Sequence, residues 1–363
     1  MKKSLISIAA LAALSNVAIA QTNVTIYGLV DAGIVSERGG AAGTDTKLTG
    51  GVGSASRLGF KGNEDLGGGL SAIFVLEEGV LIDTGAQDST GQAFNRQSYV
   101  GLKSTEAGTV TLGRQYTMLY NALGQVADPF GTGYAGTAKN LFPVAGADTR
   151  ASNAVVYSTP NLNGFSADAM YSLGEQAGDA SAGRQFGLGV NYTNGPLNTR
   201  LVYNNRNSDT AATATTAFVS HDIGRNVLLA ANYDFTVVKG FFAYGSDKGF
   251  NSAPLNNATN AYGYKVAPVA STDSNDLLIG ATVPVGPAGT VMVSYINKND
   301  KTALNQDADQ WALGYTYALS KRTSTYVAFA KIKNKNGAGY TVGNNTEVGT
   351  GDKAFNLGIK HTF

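Results

Sequence analysis

The chain closes on KAFNLGIKHTF, residues 353–363, and the reading of this stretch decides the fold. Phe355, Leu357, Ile359 and Phe363 fall on one parity, while Asn356, Gly358, Lys360 and Thr362 fall on the other. Side chains of a strand alternate between faces with period two, so this is a strand with one apolar and one polar face. His361 breaks the apolar parity. Chain ends ordinarily fray unless something ties them down. An end patterned this regularly, and finished by an aromatic, is expected to be part of the structure.

The same alternation recurs along the chain. NVTIYGLVDAGIV (23–35), LSAIFVLEEG (70–79), RQFGLGVNYTNG (184–195), NVLLAANYDF (226–235), QWALGYTYALS (310–320) and STYVAFAKIKN (324–334) all carry it. Within the fifth, Trp311, Leu313, Tyr315 and Tyr317 share one face. A helical period shows only weakly, at YTMLYNALG (116–124). Short polar turns such as NEDLGGG and TNGP separate some strands, and long Gly- and Ala-rich stretches at 36–53, 116–150 and 236–270 separate others. That rhythm predicts an up-and-down antiparallel barrel with tight turns at one rim and long loops at the other. About 343 residues at about 21 per strand and connection give about 16 strands, with no composition shift to mark a second domain.

Residues 1–20, MKKSLISIAALAALSNVAIA, pair two lysines with a short apolar run and close on Ala18-Ile19-Ala20, the pattern of a cleaved signal peptide. The barrel is then expected over residues 21–363. Losing Lys2 and Lys3 lowers lysine plus arginine from 27 to 25 against 26 acids, a net charge of −1. So even a balance argues against nucleic acid as a partner. The chain has no cysteine, so an exported fold must hold together by secondary structure and packing alone. Glycine, at 46 residues, is nearly twice its usual share of about 7%, as turn-rich strands require.

Two architectures fit alternating strands in such a chain. In a soluble sandwich the apolar parity faces a core; in a membrane barrel it faces lipid and the polar parity lines a wet lumen. The terminal stretch separates them. Backbone groups in lipid have no water to bond, so a barrel must pair its last strand with its first, and an aromatic at the rim then sits at headgroup level.

With the segments TIYGLVDAGI, SRLGFKGNEDLGGGLSAIFVLEEG, NRQSYVGLKS, GTVTLGRQYTMLYNALG and LGIKHTF, the chain resembles the trimeric general porins of Gram-negative outer membranes, those of Neisseria and of Bordetella- or Burkholderia-type bacteria. The matches cover both ends and most of the first third, whereas residues 205–270 match little. The resemblance implies a transmembrane β-barrel of about 16 strands, narrowed by an inward-folded third external loop, and a homotrimer. Its implied surroundings are outer-membrane lipid and lipopolysaccharide, the assembly machinery that reads Phe363, and the ions and small hydrophilic solutes that pass. Small residues at Gly28, Ala32, Gly33 and Gly59 are expected to let barrel walls approach one another.

The resemblance also assigns a cationic wall at the pore constriction: Arg57, Arg96, Arg114 and Arg150, faced by Asp128 and with Asp148 nearby. Parity supports Arg57 and Lys61 as lumen-facing, since Leu58 and Phe60 take the other side. Parity opposes Arg114, which shares the face of Val110 and Leu112, so a bulge or chain turn at Gly113 is expected. One arginine alone would read as an ordinary ion pair; a cluster beside an inward loop reads as a selectivity device for anions. His221 and His361 have no metal-ligand spacing, and no phosphate loop, cofactor motif or G-x-S-x-G stretch occurs. The expected function is passive diffusion through a water-filled channel with a preference for anions. The alternatives are a solute-specific channel, a barrel enzyme and a closed adhesin barrel.

Overall fold

The final strand, β17 (Lys353–Thr362), lies antiparallel to the first, β1 (Asn23–Gly40), in continuous register from Leu29 opposite Thr362 to Arg38 opposite Lys353. Phe363 extends the ladder: it exchanges two backbone hydrogen bonds of 3.1 Å with Gly28, and its ring occupies the space a Cβ there would need. The terminus is the closing seam of the barrel. This is a computed structural model that describes residues 23–144, 148–213, 215–250, 253–255, 262 and 264–363; the expected signal peptide lies outside them.

Between the seam strands run β2 (Gly43–Gly50), β3 (Arg57–Gly67), β4 (Leu70–Gly79), β5 (Gln97–Ser104), β6 (Gly108–Tyr116) and β7 (Arg150–Ser158). They are followed by β8 (Phe165–Ser172), β9 (Gln185–Asn194), β10 (Leu197–Arg206), β11 (Gly224–Asp234) and β12 (Lys239–Lys248). The last before the seam are β13 (Asp273–Val285), β14 (Gly289–Asp300), β15 (Ala308–Ala318) and β16 (Thr323–Asn334). Apart from β2 and β3, which do not pair with each other, each pairs antiparallel with its chain neighbours in one closed sheet. β2 and β3 both pair with the same edge of β1, β3 with its first half and β2 with its second. They are two pieces of one stave broken at residues 51–56, so seventeen segments make a sixteen-stave barrel.

Exposure resolves the choice between sandwich and membrane barrel. Leu357 is 50% exposed and Ile359 48%, whereas Asn356, beside Leu357 and on the inner face, is 0%. On β15 the outward Trp311 is 62% exposed and its neighbour Gln310 is 0%. The apolar parity is outside, where only lipid can satisfy it, and the polar parity is inside. Among the described residues no helix is long and apolar enough to cross a membrane; the strands cross.

Two of the expected long connections are shorter than the sequence implied. Most of 36–53 is β1 and β2, joined by a two-residue turn; here both faces are polar, so alternation gives no signal. Within 236–270, residues 239–248 form β12, where adjacent Phe241 and Phe242 blur the parity. The third, 116–150, is the inward loop expected from the resemblance. It opens on α1 (Met118–Ala122), whose N-cap Thr117 Oγ1 accepts a hydrogen bond from the Tyr120 amide at 3.1 Å. A wide helical turn at Leu123–Ala127 follows and a tight one at Ala138–Asn140. Met118, Leu123, Val126, Phe130 and Phe142 are buried beneath it, against the inner wall of the barrel. The wall leaves room for them at glycine: a Cβ on Gly280 would stand 2.7 Å from Pro129, and one on Gly314 2.8 Å from Phe130.

A second long connection also folds inward, which composition did not signal. Ala338, Tyr340, Val342 and Asn344, between β16 and β17, are almost wholly buried. The Gly343 amide donates to Asn140 Oδ1 at 3.0 Å, Lys139 Nζ to the Asn345 carbonyl at 2.6 Å, and Asn345 Nδ2 to the Thr132 carbonyl at 2.8 Å. This segment clamps the first loop in place.

Candidate functional site

Glu77 sits at the centre of the basic residues. Its Oε1 lies 2.8 Å from Arg96 Nε and 3.9 Å from Arg57 Nη1, and its Oε2 accepts from Tyr27 Oη at 3.0 Å. Strand register puts Tyr27 opposite Gly59 and Gly59 opposite Glu77, so Arg57, two residues along, shares that inner face. One carboxylate thus serves two guanidiniums, Arg96 through a direct hydrogen bond and Arg57 at longer range.

Tyr116 joins the remaining members. Its hydroxyl accepts from Arg96 Nη2 at 2.6 Å and from Arg150 Nη2 at 3.3 Å. The Arg150 guanidinium lies 4.8 Å from the Tyr116 ring centroid, and Tyr116 stacks on Tyr120 at 4.7 Å. Arg114 hydrogen-bonds the Asn95 carbonyl and, through Nη1 at 2.8 Å, Ser152 Oγ. The register slip expected there is present between Gly113 and Gln115, with the extra residue on β7 beside Asn153, at φ +54°. Gly113 itself takes φ +136°, a conformation that side chains rarely adopt.

Arg96, Arg114 and Arg150 line one cavity of about 860 Å³ on the long-loop side of the inward loop. Lys139, carried in from the loop, and Arg206, from the end of β10, join them. Against these five cations stand Asp88, Asp209 and Glu347, and Glu347 is already paired with Lys47 at 3.2 Å. The balance of the lining is positive. Burial, with Arg150 and Arg96 nearby, lowers the Lys139 ammonium to about 8.

Two acidic expectations are corrected. Asp128 does not face the arginines across the cavity: it is 4% exposed, and its carboxylate accepts from the amides of Phe130, Thr132 and Ala138, each at 2.9 Å. It organises the loop from within, and burial raises it to about 6 despite those donors. Asp148 pairs with Arg206 at 3.2 Å and accepts from Asn204 Nδ2, likewise raised to about 6 by burial. Lys61 lies apart from the group, farther along β3, with its ammonium 5.2 Å from the Tyr27 ring centroid. Phe363 is at the opposite rim. Among the described residues no cluster of potential metal ligands occurs.

Sequence reading missed Glu77, Tyr116, Lys139 and Arg206 as members. Lys139 was findable, since it is one of only two basic residues between Tyr116 and Arg150 inclusive.

A barrel with this inner wall is a membrane channel, and comparison with known proteins agrees. Residues 7–337 match the Gram-negative porin family, and the chain belongs to it. It is 34% identical to outer membrane porin protein 32 of Delftia acidovorans, over the full length of both chains. It is 32% identical to an outer membrane porin protein of Bordetella pertussis, over 92% of this chain and 95% of that one. The solved anion-selective porin from Comamonas acidovorans superposes with a TM-score of 0.76 at 31% identity, covering 94% of this chain and all of that one. The protein is therefore an outer-membrane porin, a diffusion channel and not an enzyme.

Proposed function

We propose that this porin passes small hydrophilic solutes with a preference for anions, and that its selectivity is set by the basic wall of Arg57, Arg96, Arg114 and Arg150 together with Lys139. The observation that carries the reading is the lining of the large cavity, where Arg96, Arg114, Arg150, Lys139 and Arg206 stand against three carboxylates; Arg57 is outside that lining and joins Arg96 on Glu77. Selectivity follows the local field where the pore is narrow, and charges beyond about 8–10 Å are screened, so the near-zero net charge of the chain is no obstacle. The solved relative described as anion-selective supports it. The test is the zero-current potential of purified protein in a KCl gradient; a cation-selective channel would end the proposal. Saturation of conductance by one sugar or amino acid would instead favour a solute-specific channel.

The functional unit on this reading is a homotrimer in lipid and lipopolysaccharide, exported by a cleaved signal at residues 1–20 and recognised by the assembly machinery through Phe363. The trimer now rests on family membership and not on the small residues. A Cβ on Gly33 would meet Tyr326 and one on Gly59 would meet Tyr27, both on the inner wall, and Phe363 covers Gly28. Of the four, only Ala32 is left to the outer face.

A further inference from the structure

On the far side of the inward loop, towards the short turns and the chain termini, a second cavity of about 330 Å³ opens. Its lining differs in kind from the first. Lys360 on β17 is the one charged residue of its lining among the described residues. Pro129, Phe130 and Met292 supply an apolar floor, and five serine and threonine side chains, Ser54 and Ser324 among them, supply the rim. Gly314 makes that floor possible, since a Cβ there would stand 2.7 Å from Met292 Cε and 2.8 Å from Phe130 Cε1.

Lys360 pairs in register with Asp31, yet the Asp31 carboxylate is committed elsewhere. Its Oδ1 accepts from Tyr326 Oη at 2.7 Å and its Oδ2 from the amides of Gly53 and Ser54 at 3.1 and 3.0 Å. The Lys360 ammonium is within electrostatic reach of Asp31 and Arg57, but makes no hydrogen bond or close ion pair among the described residues. A half-buried ammonium with uncommitted donors beside an apolar floor can hold an anion that carries a hydrocarbon body.

We propose that this cavity is a separate binding site for small monocarboxylates with an apolar body, entered from the short-turn side, which in such barrels is periplasmic. The inference rests on the channel reading above. One cation matches one carboxylate; a dianion would bring its second charge against Phe130 and Met292 with nothing to pair it. Chloride or formate would leave the floor unused. The carboxylate would take the Lys360 ammonium and neighbouring hydroxyls, and the hydrocarbon would cover the floor.

Benzoate added to the short-turn side of single reconstituted channels tests this, with acetate as the control. Benzoate should reduce the chloride current saturably, and at concentrations about tenfold below those at which acetate does, because only benzoate carries a hydrocarbon body that covers the apolar floor. Lys360→Gln should raise the half-blocking concentration about tenfold, as expected for loss of one charged hydrogen bond, whereas Lys360→Arg should keep it within about threefold. Equal block by benzoate and acetate would overturn the apolar half of the site. Unchanged block in Lys360→Gln, or block lost only in Arg150→Ser, would move the site to the arginine wall. The zero-current potential without benzoate reads the channel proposal separately: a cation-selective wild type defeats that reading, and persistent block in Lys360→Gln defeats this one.

Discussion

Arginine does not titrate in any working range, so a pH-dependent selectivity between pH 7 and 9 must come from another group. Lys139 is that group: it lines the large cavity, and its ammonium is lowered to about 8. About nine-tenths of it is charged at pH 7 and about one-tenth at pH 9. The direction follows from the charge type. A lysine loses its positive charge as pH rises through its own value, so anion preference must fall.

The size can be worked out. A unit charge about 5 Å from a permeating ion contributes about 0.8 kcal/mol in water, and screening at 0.1 M salt leaves about 0.5 kcal/mol. That is about twofold in anion occupancy, with the reverse effect on cations, so the chloride-to-potassium permeability ratio should drop about two- to fourfold from pH 7 to pH 9. The assay is the zero-current potential in a fixed KCl gradient, titrated in wild type and in Lys139→Met. The variant should start at the high-pH ratio and stay flat. A flat wild type, or equal slopes in both, would show that Lys139 does not face the ion path.

Three further outcomes are expected. Arg114→Ser, or Arg57→Ser, should each lower the same permeability ratio about twofold, and an unmoved potential in both would mean the wall is misplaced. Asp128→Asn should leave the potential where wild type has it, because the carboxylate is enclosed by loop amides and does not line the cavity; a shift towards anions would return it to the aperture. Deleting Phe363 should cut assembled outer-membrane protein about tenfold or more while sparing the conductance of what assembles, since the seam loses its last two backbone hydrogen bonds far from the arginines. Normal levels of the deleted chain would refute the closing role.

The barrel was legible wherever one face meets lipid and the other meets water, because that asymmetry is what alternation records. Leu357, Asn356 and Trp311 stand where parity put them. The reading weakened where both faces are wet, as in the β1–β2 hairpin, and at Phe241-Phe242, where two adjacent aromatics leave no polar side to mark the inner face. The basic wall was legible through family resemblance and only partly through parity: Arg57 obeyed it, and Arg114 needed the slip beside Gly113. What the sequence did not carry was the pairing of charges across elements. Asp128 is the acid expected opposite the arginines and Glu77 is not, yet Asp128 is consumed by its own loop and Glu77 binds two guanidiniums, one from β3 and one just before β5.

That difference explains how a chain of nearly zero net charge can hold a charged wall. Carboxylates are spent where they organise backbone or lock one loop to another: Asp128 within the inward loop, Asp31 on the Gly53–Ser54 amides, Glu347 on Lys47. The guanidiniums are fixed by neutral acceptors as much as by acids: the Tyr116 hydroxyl, the Asn95 carbonyl and Ser152. A guanidinium held by a hydroxyl or a carbonyl keeps its charge uncompensated, so its field extends into the cavity, whereas one held by a carboxylate does not. The selectivity of the pore then depends on which acceptors position its cations, and composition records only how many cations there are.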